Sequence, residues 1–288
     1  VEPSTNGATR RQPRLGNLGA WFGRNAVALA VIALATAVLV WLLEEALENE
    51  TMGFDLPVTD RLRDGDHMVL DYVFAAFTFV GGGTGGLALL ATLTTFLVLS
   101  RRSGEAAFLA LAVLGAGVLT RIFKASVDRQ RPGLADARDQ MLTSGHKLEL
   151  LIGFAAIALL LLPTRWRVHG LVLAATFGLV FLVKETSGAA VPITEDFDSF
   201  PSGHGTAAAA LAASLVVLLW STRWRWLAVG AGVLFAVAVG LSRVYLGVHY
   251  PSDIMASWSI AIGWVAVLTL VLPATFTGRS GESKPASG

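Results

Sequence analysis

The run AVALAVIALATAVLVWLL, Ala26 to Leu43, decides the fold class: it is apolar around the whole circumference of a helix and carries no charge. An α-helix needs about 20 such residues, with a range of roughly 17 to 25, to cross a bilayer. Working outward, further apolar blocks extend from Gly82 to Leu99, Ala106 to Phe123, Leu150 to Leu162, Gly170 to Val183, Gly205 to Trp220, Leu227 to Leu241 and Ile254 to Leu272. Six of the eight span comfortably once their ends are counted. The fourth and fifth are short, and read either as untilted spans with Lys147 and Lys184 snorkelling at their ends or as a re-entrant pair. The stretch from Asp66 to Val80, ahead of the glycine run Gly81 to Gly83, reads as an interfacial helix feeding the second span.

Composition agrees, with 54% hydrophobic and 15% charged residues gathered in blocks and not at amphipathic spacing. A net charge of +1 provides no global field for nucleic acid, so a nucleic-acid partner is not expected. With no cysteine, disulfides, thiolate metal sites and cysteine nucleophiles are excluded. Residues 1–25, with Arg10, Arg11, Arg14 and Arg24, read as a cytoplasmic tail and not as a cleaved leader. Residues 274–288 read as a second, disordered cytoplasmic tail, and residues 26–273 as the membrane domain. The Arg101–Arg102, Arg165–Arg167 and Arg223–Arg225 loops join these tails on the cytoplasmic side by the positive-inside rule. The acidic segment Glu44 to Asp66 and the loops after Phe123, Val183 and Leu241 then face the opposite side.

An internal repeat relates units at about 106–167 and 170–225. Thr164-Arg165-Trp166-Arg167 recurs as Thr222-Arg223-Trp224-Arg225, Ser144-Gly145-His146 recurs as Ser202-Gly203-His204, and Lys124 has a counterpart in Lys184. The expectation is an all-α, polytopic transmembrane bundle of eight spans in a plasma (inner) membrane, with both termini cytoplasmic.

Three polar clusters fall in the loops assigned to the extracytoplasmic face. They are Lys124, six residues, Arg131-Pro132; then Pro201-Ser202-Gly203-His204; then Ser242-Arg243, five residues, His249, three residues, Asp253. A phosphoryl group in transfer needs cationic donors around its oxygens, an in-line nucleophile and an acid for the leaving oxygen. Lys124, Arg131 and Arg243 supply cations, and Arg forks match phosphate geometry. Ser202 and the N–H groups of Gly203 and His204 open a helix, where unpaired donors and dipole favour an anion. His249, with Asp253 four residues on, has the pattern of a nucleophile held by a carboxylate; His204 suits the acid.

Together the clusters resemble the three signature motifs of the type 2 phosphatidic acid phosphatase superfamily, whose members include lipid phosphate phosphatases and vanadium haloperoxidases. The resemblance covers roughly Ala106 to Leu272. It implies a phosphohistidine on His249, a proton from His204 to the leaving group, no metal and no cofactor, and a lipid phosphate or pyrophosphate as substrate. It also casts the eight spans as a six-span core plus a hairpin inserted by the repeat.

Alternatives remain at this level. Lys184 with Val191-Pro192 competes with Lys124 and Arg131 as the first motif, although it lacks the arginine. His146, with Thr143 where the proline would be, is a degenerate copy, and His67 and His169 read as solvated. Asp253 could cap the last helix alongside Ser252 while orienting His249. Ser257 stands where the family often has glycine, which touches only local packing. Rival functions are a phosphotransferase on the same site and, from another class, a lipid transporter or scramblase.

Overall fold

The computed structural model describes residues 15–48, 50–64, 68–132 and 198–277. The expected spans at Leu150–Leu162 and Gly170–Val183, together with Lys184, His67, His146 and His169, lie outside these residues. Among the described residues the elements are α1 (Leu15–Leu47), α2 (Asp55–Arg63), α3 (Met68–Gly81), α4 (Gly83–Leu99), α5 (Ser103–Lys124), α6 (Gly203–Leu219), α7 (Arg225–Tyr245) and α8 (Pro251–Val271), closed by a 3-10 turn at Ala274–Phe276. No strand occurs among them; Gln130 and Asp198 form an isolated antiparallel bridge.

Four helices have the length and apolarity of a membrane span: Asn25–Leu47, Ser103–Lys124, Arg225–Tyr245 and Pro251–Val271. A fifth candidate is the pair Val69–Gly81 and Gly85–Leu99, bent by 52°, and α6 is a shorter apolar helix. Where an interfacial helix was expected from Asp66 to Val80, the chain forms α3, which with α4 makes the bent candidate span. The acidic segment expected only as a loop contains α2, whose polar sequence gives no apolar stripe to read. Outward-facing side chains such as Val27, Leu34, Leu234 and Val271 are large and apolar. Such a surface suits hydrocarbon, where every backbone group must find its partner inside a helix. The chain is a multi-pass, all-α membrane protein.

The core forms around α6, which packs against α5, α7 and α8. Buried Ala208, Ala209, Ala210 and Ala212 let these backbones approach closely, the usual solution where lipid removes the hydrophobic drive between helices. Thr120 donates to Thr206 at 2.9 Å, fixing the register of α5 on α6. Farther along, Phe108, Leu109, Leu211, Leu218, Val265 and Leu268 fill the other half. α1 lies on α8, and its end joins Leu42, Ala46 and Met52 to Val127, Phe200 and Ala256 in a second cluster. That cluster sits directly behind the loops of the three polar motifs.

Candidate active site

The connectivity puts the three motifs at one end of the bundle: the C-terminus of α5, the N-terminus of α6 and the α7–α8 turn. α5 closes on Lys124, whose Nζ donates to the carbonyl of Asp198 at 2.6 Å, tying the first motif to the residues just before the second. The chain then runs extended past Arg129, which accepts the Ser199 N–H at 2.7 Å through its carbonyl. Ser202 caps α6: its Oγ accepts the Gly205 N–H at 3.3 Å. Thr206 N–H donates to the Ser202 carbonyl at 3.0 Å, so the N–H groups of Gly203 and His204 precede the helix's own ladder. Ser202 itself is fully buried, whereas Gly203 is exposed.

The third motif reaches the second through a residue that sequence reading assigned to packing alone. Ser257 Oγ contacts the Ser202 carbonyl at 2.8 Å and the Asp253 carbonyl at 2.7 Å. α8 begins with Pro251 and is capped by Asp253, whose Oδ2 accepts the Tyr250 N–H at 2.8 Å. The same Oδ2 faces His249 Nδ1 at 3.5 Å, longer than a formed hydrogen bond. Capping and facing the histidine are therefore one arrangement, as the spacing allowed.

His249 is 3% exposed. Burial drives its pKa down from 6.5 to about 4, against the pull of Asp253 and with a further push from Arg243 and Lys124. The imidazole is neutral across ordinary pH, and since Nδ1 faces the carboxylate, Nε2 is the nitrogen available to the site. Arg243, His249, Arg131 and Lys124 all act electrostatically on His204, so both histidines and all three cations occupy one neighbourhood. Arg131 Nε is buried and has no hydrogen-bond partner among the described residues. The pair Lys124 and Arg131 thus stands beside the histidines, whereas the competing Lys184 lies outside the described residues.

The structure adds contacts that spacing did not carry. An ideal Cβ on Gly82 would come within 2.3 Å of His204 Cδ2, so the backbone at the α3–α4 break is a wall against that ring. Gly83 follows with a φ of +57°, a conformation that favours glycine. Below the site Thr78 and Ser242 hydroxyls meet at 2.6 Å, and Tyr245 donates to Asp71 at 2.6 Å, holding α3 against the end of α7. Arg129, hidden between the two residues the first motif names, donates to Asp253 Oδ1 at 2.6 Å. Its only sequence signal is a third cation in the Lys124–Arg131 stretch.

Such an arrangement can hold a phosphoryl group among cations between two imidazoles. The PAP2 superfamily profile matches residues 105–276. The chain is 32% identical over 133 residues to an undecaprenyl-diphosphatase of Sulfolobus acidocaldarius, covering 41% of this chain and 62% of that one. It is 38% identical over 76 residues to a lipid A 1-phosphatase of Rhizobium etli, covering 26% of this chain and 30% of the relative. It is 41% identical over 71 residues to phosphatidylglycerophosphatase B of Escherichia coli K12, covering 25% and 28%. These matches span less than two thirds of each relative's length. The fold is shared with the crystal structure of a transmembrane PAP2 type phosphatidylglycerolphosphate phosphatase from Bacillus subtilis, at a TM-score of 0.54 and 17% identity over 82% of this chain and 94% of that one. With the profile covering more than half of its length, this chain belongs to the PAP2 superfamily.

Proposed function

We propose that the protein is a membrane-embedded hydrolase that removes phosphate from a lipid phosphate or isoprenoid pyrophosphate through a phosphohistidine. The observation that carries this reading is the gathering of His204 and His249 with Lys124, Arg131 and Arg243 at one end of the bundle. Relatives named as undecaprenyl-diphosphatase and phosphatidylglycerophosphatase support the substrate class.

In the first step His249 Nε2 attacks phosphorus, the bond to the leaving oxygen breaks, and His204 gives that oxygen its proton. Lys124, Arg131 and Arg243, with the N–H groups at the start of α6, hold the equatorial oxygens. His204 stands among cations, so the phosphate's own negative charge is what makes its imidazolium form tenable. In the second step water attacks the phosphorus as His204 takes its proton, the P–Nε2 bond breaks, and inorganic phosphate leaves with His249 regenerated. Because side-chain cations meet the phosphoryl charge, turnover is expected to survive a chelator. Arg101–Arg102 and Arg223–Arg225 flank the helix ends opposite the site, which by the positive-inside rule favours an extracytoplasmic site and cytoplasmic termini.

The test is phosphate release by the purified protein in detergent across isoprenoid pyrophosphate, phosphatidate and phosphatidylglycerol phosphate. Release is expected with at least one, inhibited by vanadate, insensitive to EDTA and absent from His249→Ala. Equal rates for that variant and wild type would remove the nucleophile, and label passing to another lipid in place of free phosphate would make the enzyme a transferase.

A further inference from the structure

One buried cation takes no part in the steps above. Arg129 is 2% exposed, far from where a guanidinium ordinarily resides. Its NH1 donates to Asp253 Oδ1 at 2.6 Å and to Ser252 Oγ at 2.8 Å. Its NH2 donates to Asp55 Oδ2 at 2.9 Å and to the Glu50 carbonyl at 2.9 Å. The guanidinium also lies over the Tyr250 ring, 4.8 Å from its centroid. Asp55, on the first residue of α2, is itself fully buried and accepts the Ser252 N–H at 2.9 Å, the Ser252 hydroxyl at 2.6 Å and the Met52 N–H at 3.1 Å.

Two carboxylates therefore share one guanidinium, and one of them is the carboxylate behind His249. A carboxylate can rotate about its last bond and present either oxygen. Here Arg129 holds Oδ1 and the Tyr250 N–H holds Oδ2 on the side facing Nδ1, so the plane of Asp253 is fixed from both sides. Asp55 balances Arg129. Without it the guanidinium would cancel the negative field that Asp253 presents to the imidazole; with it the trio keeps a net single negative charge. A staple that only joined helices would not require the cation to stand on the oxygen opposite the histidine.

Resting on the reading of His249 as nucleophile, we propose that Arg129 and Asp55 are positioning residues of the reaction. Arg129 aims Asp253, Asp253 aims His249, and Asp55 holds Arg129 in place from a part of the chain that the family match does not include. The same device accounts for an arginine between Lys124 and Arg131 whose side chain faces the carboxylate.

The test combines kinetics with a readout that needs no turnover. Arg129→Gln and Asp55→Asn are each expected to lower kcat roughly 10- to 100-fold on a phosphatidate mixed micelle while leaving KM within about twofold. The double variant Arg129→Gln with Asp253→Asn is expected to be no slower than Asp253→Asn alone, because both act along one line. Multiplied losses, or a raised KM with kcat intact, would overturn the proposal. Arg129→Lys keeps the buried charge should the glutamine variant not fold, and is expected to recover part of kcat. Nitrogen-15 NMR of histidine-labelled protein should show His249 as a single Nδ1–H tautomer in wild type and a mixture in Arg129→Lys. Unchanged signals in the variant also overturn it. Wild type that releases no phosphate from any lipid sinks the hydrolase reading separately, because the tautomer measurement still judges the positioning.

Discussion

His249 combines near-complete burial, a carboxylate neighbour at 3.5 Å and two nearby cations, and these set how its activity should follow pH. With its pKa lowered to about 4, the imidazole proposed as nucleophile is neutral through the neutral range. On the acid side kcat/KM should fall about tenfold per pH unit below 4, as protonation removes the lone pair. Asp253 pulls that pKa upward, so Asp253→Asn should move the acid limb to still lower pH while dropping the plateau roughly 100- to 10,000-fold through lost orientation. A pH–rate series on both proteins checks the paired effect, and an acid limb moving upward in the variant would contradict the assignment. The three motifs could be picked out of the sequence because their residue types stand at fixed spacing. Asp55 and Ser257 could not: each acts on a partner distant in the chain, Arg129 or Ser202, and spacing along a sequence carries no record of such a meeting.

At the level of elements, the break between α3 and α4 decides where His204 can sit. Gly82→Ala would place a methyl within 2.3 Å of His204 Cδ2 and 2.9 Å of its Nε2, so the ring must leave its seat. The expected result is a loss of about 100-fold in kcat with the thermal midpoint changed little, read by parallel kinetics and melting in detergent. Gly83→Ala is the contrasting case. Its φ of +57° costs an alanine about 1 kcal/mol, yet the added carbon would stay 4.0 Å from His204 Nε2, so stability falls and turnover persists. Among the described residues α4 to α8 follow their apolar blocks within about four residues, whereas α1 starts at Leu15, well ahead of Ala26 and inside the stretch expected as a tail. α2 escaped because its residues serve a buried carboxylate and a loop, and present no apolar face. The glycine run was visible as punctuation, but its role as a wall against an imidazole emerges only from the packing.

For the whole molecule, the family match begins at Glu105 while the support for the third motif begins earlier. Leu42, Ala46 and Met52 back the cluster containing Phe200 and Ala256, and Asp55 reaches Ser252 and Arg129. A chain starting at Ser103 would leave Arg129 and Asp253 without their third partner, and breaking a buried ion network typically costs about 3–5 kcal/mol. Such a fragment is expected to show no phosphate release, with activity returning when residues 1–102 are co-expressed as a separate piece. Activity of the fragment alone would mean the amino-terminal helices are dispensable.

The length of α6 carries a last consequence. Its 17 residues rise about 25 Å, less than the roughly 30 Å of a bilayer's hydrocarbon. At its far end Arg223 lies over Trp224 and Arg225 over Trp226, a set of side chains suited to rest at a headgroup plane. With that end moored, His204 lies several ångströms beneath the other surface, and any slant of the helix sinks it more. The substrate's head must then dip, or the leaflet must dimple to meet it. Reconstituted into vesicles of graded acyl length, the protein should release phosphate fastest where the membrane is thinnest.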